Sequence, residues 1–309
     1  MTLPPFFIVG FQRSGTTLLR LMLDNHPDLA VPLDTVGLWA RYADDLARYH
    51  DLRDEADARQ LVTDLLAEER IRLWETPLTV DGVLAQRTTP GFPGIMDAFH
   101  RAYAYAHGKH YWGDKDPGNM ERIDRLAQWF PGCRIVHIIR DGRDACLSQT
   151  RQDFGFDDLF ECAACWREQV EWVRRIGGVL GPDRYFEFRY EDLVAEPEPI
   201  LRRIAAFLGV DWSPAMLEYH RQVKKSVPDS KRHIWPLLDQ PPQKDAAGRW
   251  KAAFSAGERI AFEKRAGPVL RSLGYETLPR ATGGYGAELR SAGHRVWRAV
   301  RRRLRRSEG

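Results

Sequence analysis

Cysteine is scarce in this chain: Cys133, Cys146, Cys162 and Cys165 are the only four among 309 residues. They are too few and too unevenly spaced for a disulfide framework, and reduced thiols follow. Cys162-Ala163-Ala164-Cys165 is a close pair, but a structural zinc would need a second one, which Cys133 and Cys146 do not make. The pair also sits in a helical pattern continuing through Trp166, Val170, Val173 and Ile176, so core packing is its reading. No apolar run approaches the roughly 20 residues that span a bilayer, and no basic segment followed by a long apolar one opens the chain. The expected location is therefore cytoplasmic. Basic charge is also missing from the body: of a net charge of +3, residues 287–309 hold eight arginines against Glu288 and Glu308, which leaves the rest at −3. Without a basic face on the fold, no nucleic-acid partner is expected.

The most informative absence is one lysine. Phe6-Phe7-Ile8-Val9 reads as a buried parallel strand and residues 18–23 open a helix, so residues 10–17, Gly10-Phe11-Gln12-Arg13-Ser14-Gly15-Thr16-Thr17, form a strand-to-helix turn. Successive backbone N–H groups there, with the positive end of the helix dipole, cradle a phosphate. The nucleoside-triphosphatase pattern GxxxxGK[ST] uses its lysine on the terminal phosphates and its next hydroxyl on magnesium. Thr16 stands in the lysine's place, and Arg13 is the nearby cation. The loop reads as a P-loop relative that has given up metal-assisted phosphoryl transfer.

A length of 309 residues with 43% hydrophobic content suits one sizeable α/β domain, or at most two. Residues 36–110 are helical in pattern with no clear strand, an insertion of the kind that walls a second-substrate pocket. Its aromatics Trp39, Trp74, Phe99, Tyr103 and Tyr105 line such a pocket or, as the commoner case, pack a core. A helix at 119–130 precedes the β-branched strand Arg134–Ile139, and Arg140-Asp141-Gly142-Arg143-Asp144 then turns into another helix. Further expected elements are a long helix Leu159–Leu180, a strand at 184–189 and a helix at 191–209 broken early by Pro197 and Pro199. Strands alternating with helices predict a parallel sheet covered on both faces, with ligands at the strands' carboxyl ends. Lysines and arginines spread among prolines at 222–251 describe a mobile basic loop.

Four segments fall at such ends: Gln12-Arg13-Ser14-Gly15-Thr16-Thr17-Leu18; Gly113-Asp114-Lys115-Asp116-Pro117; Ile138-Ile139-Arg140-Asp141-Gly142-Arg143-Asp144 with Ser148; and Arg189-Tyr190-Glu191-Asp192-Leu193. Together they resemble the sulfotransferases that use 3′-phosphoadenosine 5′-phosphosulfate (PAPS), over roughly residues 6–276, with the protein-tyrosine and carbohydrate branches and bacterial members nearest in pattern. The resemblance implies a P-loop NTPase-like three-layer α/β fold with a mainly parallel sheet, and a domain over 1–279. Within it, 36–110 covers the acceptor side and 222–251 caps the nucleotide. It further implies that Arg13, Ser14, Gly15, Thr16 and Thr17 hold the 5′-phosphosulfate and that Arg140 and Ser148 hold the 3′-phosphate, with Arg151 assisting. Tyr190 would contact the nucleotide, and Arg249 or Lys251 of Gly248-Arg249-Trp250-Lys251 would close over the 3′-phosphate. PAPS is then the donor and PAP the product, with no metal required.

Charge logic agrees. A magnesium-dependent nucleoside triphosphatase places an acid at the end of a buried strand, whereas here the strand ends in Arg140, whose fork suits a phosphate directly. Asp141 keeps a metal alternative open. Arg13 and Lys115 are the candidates for stabilising the leaving phosphate, although Lys115 also reads as a solvated loop charge. The acceptor hydroxyl needs a base. In the protein-tyrosine branch a glutamate follows the His-Pro segment; here His26-Pro27-Asp28 is that segment and Asp34 falls at the glutamate's place, one methylene shorter. A helix cap is the competing reading of Asp34, and His26 and His137 are weaker candidates. A tyrosine bonded to backbone is the competing reading of Tyr190.

Residues 287–306 place Val296, Val300 and Leu304 at four-residue steps beside Trp297 among arginines. This basic amphipathic pattern suits peripheral contact with an anionic membrane face, or a solvated terminus. The reading is a sulfotransferase acting on a hydroxyl-bearing acceptor. Its rivals are a P-loop small-molecule kinase and a noncatalytic nucleotide-binding or membrane-associated protein.

Overall fold

The computed structural model describes residues 3–33, 35, 37–152, 155–221, 223, 238–243 and 247–279. Its centre is β1 (Phe6–Val9), four buried residues whose alternation serves two cores at once. Phe6 and Ile8 join one apolar cluster, Phe7 and Val9 the other. A strand that is apolar on both sides has to be covered on both sides. β1 lies between β3 (Tyr111–Lys115) and β4 (Arg134–Ile139), with β2 (Leu29–Ala30) and β5 (Tyr185–Arg189) outside them, in the order β2-β3-β1-β4-β5. Every pairing is parallel, with Ile8 beside Lys115 on one flank and Val136 on the other.

On the Phe6–Ile8 side pack α1 (Thr16–Asp24), α10 (Tyr190–Ala195) and α11 (Pro197–Leu208). The opposite side takes α2 (Leu38–Asp44), α3 (Glu55–Ala67), α4 (Glu69–Arg72), α5 (Val80–Leu84), α6 (Gly91–Ala106), α7 (Ile123–Trp129), α8 (Gly142–Gln149), α9 (Leu159–Leu180) and α13 (Ala256–Ser272). A short α12 (Trp250–Ala253) precedes α13. These layers place the carboxyl ends of β1, β3, β4 and β5 on one edge, with the chain reversing direction through the sheet at β1. Such a switch point is where open parallel sheets bind ligands.

Strands β1 and β4 and helix α9 run over the residues that the pattern predicts, and β5 starts one residue later. The helix at 191–209 breaks where its prolines predict: Pro197 lacks the N–H that a continuous helix needs there and instead starts α11. Two expectations change. The helix at 119–130 is a 3-10 turn at Pro117–Met120 followed by α7. The Gly113 segment is no loop: Tyr111–Lys115 is a fully buried strand. A glycine and two charged residues hide it from a hydrophobic reading. Four of the five insertion aromatics, Trp39, Trp74, Phe99 and Tyr103, pack the core, while Tyr105 is exposed. Cys162 is buried in the same core, as the helical pattern implies.

Gly113 is fixed by its neighbour: a Cβ there would stand 2.3 Å from Phe6 Cζ. Gly113→Ala is expected to cost about 1–3 kcal/mol, read as a lowered urea midpoint, with Phe6→Leu recovering part of the loss. An unchanged midpoint would show that the ring yields freely.

Candidate active site

The loop after β1 turns sharply. Arg13 holds a left-handed φ of 67° although it is not glycine, and such a conformation costs on the order of 1–3 kcal/mol unless neighbours fix it. Two contacts do so: Arg140 Nη1 donates to the Arg13 carbonyl at 2.8 Å, and Arg13 Nε donates to Ser148 Oγ at 3.1 Å. Gly15 is also left-handed, and a Cβ there would fall 2.4 Å from the Tyr190 ring. The loop is thus clamped between β4, α8 and α10. α1 starts directly behind it with no side-chain cap and no acid in its first turn. Its first N–H groups are the ones an anion would use.

Over this turn lies a cleft of about 290 Å³, near the lower end for small-ligand sites. Arg13, Gly15, Thr16, Thr17, Arg140, Ser148, Arg151, Tyr190 and Arg249 line it, so most of the residues selected from sequence converge. Among the described residues its lining carries four arginines and one acid, Asp144. Burial, and then the neighbouring Arg140 cation, hold the Arg13 guanidinium below its ordinary value. An anion between them relieves both penalties. The Arg140 guanidinium also lies over the Tyr190 ring at 4.7 Å. The other wall, Tyr219, Leu238, Pro241 and Pro242, is largely apolar.

Several sequence assignments take a different place. Ser14 does not line the cleft: its side chain is buried, and its N–H donates to the Phe11 carbonyl at 3.0 Å, closing the turn. Lys251 is turned outward and pairs with Glu276 at 3.3 Å, while Arg249, two residues earlier, faces the cleft. The end of the 222–251 segment is packed, since Trp250 is buried beneath Arg143, whose Cζ is 3.7 Å from the ring centroid. Lys115 is 2% exposed at the end of β3 and is not a solvated loop charge. It lies beside Ile8 of β1 but outside the cleft lining. Asp141, which kept a metal reading open, caps α8 and ion-pairs with Arg143 at 2.7 Å. Among the described residues no group of three or more His, Cys, Asp or Glu is arranged to hold a metal. Both histidine candidates are structural: His26 bonds the Asp211 carbonyl and accepts from the Asp28 N–H, and buried His137 bonds Tyr185 Oη. Asp34 and the tail at 287–306 lie outside the described residues. No described helix is long and apolar enough to cross a membrane.

Beside the loop is a buried polar network that sequence reading missed. Asp114, fully buried on β3, accepts from Thr35 Oγ1 at 2.7 Å and Asn119 Nδ2 at 2.9 Å, with His100 Nε2 at 3.3 Å. Burial opposes its ionisation, but the bonds from His100, Thr35 and Asn119 outweigh it and hold its carboxyl below the usual carboxylate range. Asp116 accepts from the Gly37 and Gly118 N–H groups, and Trp74 Nε1 donates to the Leu33 carbonyl. The chain on both sides of position 34 is therefore pinned to β3 and the helical insertion. The only hint in the sequence was two aspartates flanking Lys115; Asn119 and Gly118 are near them in the chain, but Thr35 and Gly37 come from a segment 79 residues away.

Burial, and next the Asp114 charge, push the Asp116 carboxyl up to about 6 from the ordinary 3.8. A raised carboxyl stabilises the fold below its ordinary value and loses that contribution as pH climbs through the folded value. Between pH of about 4 and 6 the protein is expected to lose roughly 3 kcal/mol through this group, a component absent from Asp116→Asn. Urea titrations of both proteins across that window check it, and parallel pH curves would remove Asp116 as the source.

Comparison with known proteins supplies the context. The description "Sulfotransferase family" matches residues 4–214. Protein-tyrosine sulfotransferase 2 of Gallus gallus is 27% identical over 284 residues, covering 89% of this chain and 70% of its own. Protein-tyrosine sulfotransferase 1 of Danio rerio is also 27% identical over 284 residues, covering 89% of this chain and 73% of its own. The sulfotransferase domain of the Synechococcus PCC 7002 olefin synthase matches with a TM-score of 0.61 at 24% identity, over 90% of this chain and 98% of that one. That likeness shows the fold, a P-loop NTPase-like α/β sheet. With the family description matched over most of the described fold, and a transferase chemistry common to it, the chain belongs to the sulfotransferase family.

Proposed function

We propose that this enzyme moves a sulfuryl group from PAPS to a hydroxyl-bearing acceptor by in-line transfer that needs no metal. The observation that carries the reading is the single cleft in which Arg13, Arg140, Arg151 and Arg249 surround the uncapped start of α1. A donor with two separate phosphate positions suits it, because the α1 turn and the Arg140–Ser148 side offer separate anion-binding groups. The apolar wall of Tyr219, Leu238 and Pro241 suits the adenosine between them. A kinase reading lacks its lysine at Thr16, and the acid beside Arg140 is already committed to Arg143.

The donor supplies an activated sulfuryl group, and the chain's task is to orient it and to meet developing charge. In this reading the backbone N–H groups at Gly15, Thr16 and Thr17 and the threonine hydroxyls bind the 5′-phosphate. Arg140 and Ser148 bind the 3′-phosphate, assisted by Arg151 and Arg249, with Tyr190 as the platform under Arg140. Arg13 stabilises the leaving phosphate oxygen, and Lys115, buried at the end of β3 outside the cleft lining, is the second cation that a bound donor would have to draw in. Asp34 takes the acceptor's proton; the neighbouring anchors at Leu33, Thr35 and Gly37 are what a short base would require. Its similarity to protein-tyrosine sulfotransferases makes a peptide tyrosine the first acceptor to try.

Arg140→Ala is expected to weaken PAP binding by about 10- to 100-fold by calorimetric titration, with Arg140→Lys restoring only part because the fork is lost. Wild-type affinity in Arg140→Ala would take Arg140 out of the site. Asp34→Asn is expected to bind PAP normally and to slow transfer at least about 100-fold. Unchanged turnover would require another base. Sulfation of a tyrosine peptide is expected to persist in excess chelator, and complete loss there would refute metal independence.

A further inference from the structure

An acid on the wall of an anion-binding cleft calls for an explanation. Asp144 is 2% exposed among four arginines, where its charge would repel the ligand just proposed. Its oxygens are turned to one short backbone segment: Oδ2 accepts from the Gly248 N–H at 2.6 Å and Oδ1 from the Trp250 N–H at 2.8 Å. Those two residues flank Arg249, whose side chain reaches the cleft while its neighbour Lys251 faces outward. Beneath the segment the Trp250 ring is covered by the Arg143 guanidinium, with Arg259 also over the ring at 5.1 Å. Arg143 is itself fixed by Asp141 and by Glu263 of α13, both within 2.8 Å. A rigid base, a two-pronged carboxylate and a cation between the prongs make one unit.

We propose that Asp144 is a positioning residue for the donor site: by holding the N–H groups on either side of Arg249, it sets that guanidinium at the 3′-phosphate side of the cleft. The proposal rests on the donor reading above and assigns to the Arg143-Asp144 part of the β4–α8 segment a task other than touching the donor. Two supports of the 3′-phosphate side thereby hang from one helix, since α8 carries Asp144 and Ser148 together. Aspartate suits the task because an ionised carboxylate offers acceptors to both N–H groups, whereas an amide opposes one of them with its own N–H.

The test is a cycle of PAP titrations into wild type, Asp144→Asn, Arg249→Ala and the double variant. Each single change is expected to weaken PAP about 10-fold or more, and the double variant is expected to bind within about twofold of Arg249→Ala alone. In turnover the Asp144→Asn loss is expected in KM for the donor, with kcat at saturating donor moving little. Fully additive losses would overturn the proposal. Amide exchange on the unaltered protein needs no variant: Gly248 and Trp250 are expected to be protected, and rapid exchange at both would overturn the anchor. Should wild type bind no PAP, the donor reading fails and the assigned ligand with it, while the exchange result still decides whether Asp144 holds the turn.

Discussion

The Arg140 guanidinium bonds the Arg13 carbonyl, lies over the Tyr190 ring and stands beside a second cation, the half-buried Arg13 side chain. Much of the site follows from this one arrangement. It stabilises a left-handed arginine in the turn after β1, brings β4 and α10 against that turn, and leaves two positive groups closer than they would sit in water. Such a site is unfavourable when empty and favourable around an anion, which is the preorganisation that transfer of a charged group requires. The sheet makes it possible, because β1, β4 and β5 are parallel neighbours whose carboxyl ends meet at one edge.

The segment around residues 33–37 is built on a different principle. Asp114 gathers Thr35, His100 and Asn119 where water does not reach, and Asp116 ties down Gly37 and Gly118. Satisfied in this way, buried carboxylates act as fixed points; a single missing partner would leave a costly unpaired charge. The segment 33–37 is held from both sides by these fixed points and by Trp74. Support for the Gly248–Trp250 segment is similar in kind, with Asp144 in the place of Asp114 and the Arg143–Trp250 stack beneath it. In both places a buried acid positions a backbone segment instead of meeting a ligand.

The anion site was legible in the sequence to the extent that it is local. Gly10 to Thr17 is contiguous, Phe6–Val9 and Arg134–Ile139 announce themselves by apolar and β-branched runs, and Arg140 and Ser148 are eight residues apart on one strand-turn-helix. β3 was not legible, because Gly113, Asp114 and Lys115 resemble a loop until Phe6 fills the space over the glycine and the polar network satisfies Asp114. Lys251 and Arg249 could not be told apart for a similar reason: they differ in direction, and direction is set by the Asp144 bonds and by Glu276.

Spacing and side-chain type along the chain are enough to show that a strand-to-helix turn without the nucleotidase lysine is paired with an arginine-ended strand, and that helices and strands alternate around it. Those are properties of neighbours in sequence. Packing sets which N–H groups stay available, since the Ser14 N–H closes the turn. It also makes Asp141, Asp114 and Asp144 structural acids, each bonded to groups of the fold. The fate of a buried charge depends on partners distant in sequence, and only the packed fold supplies them.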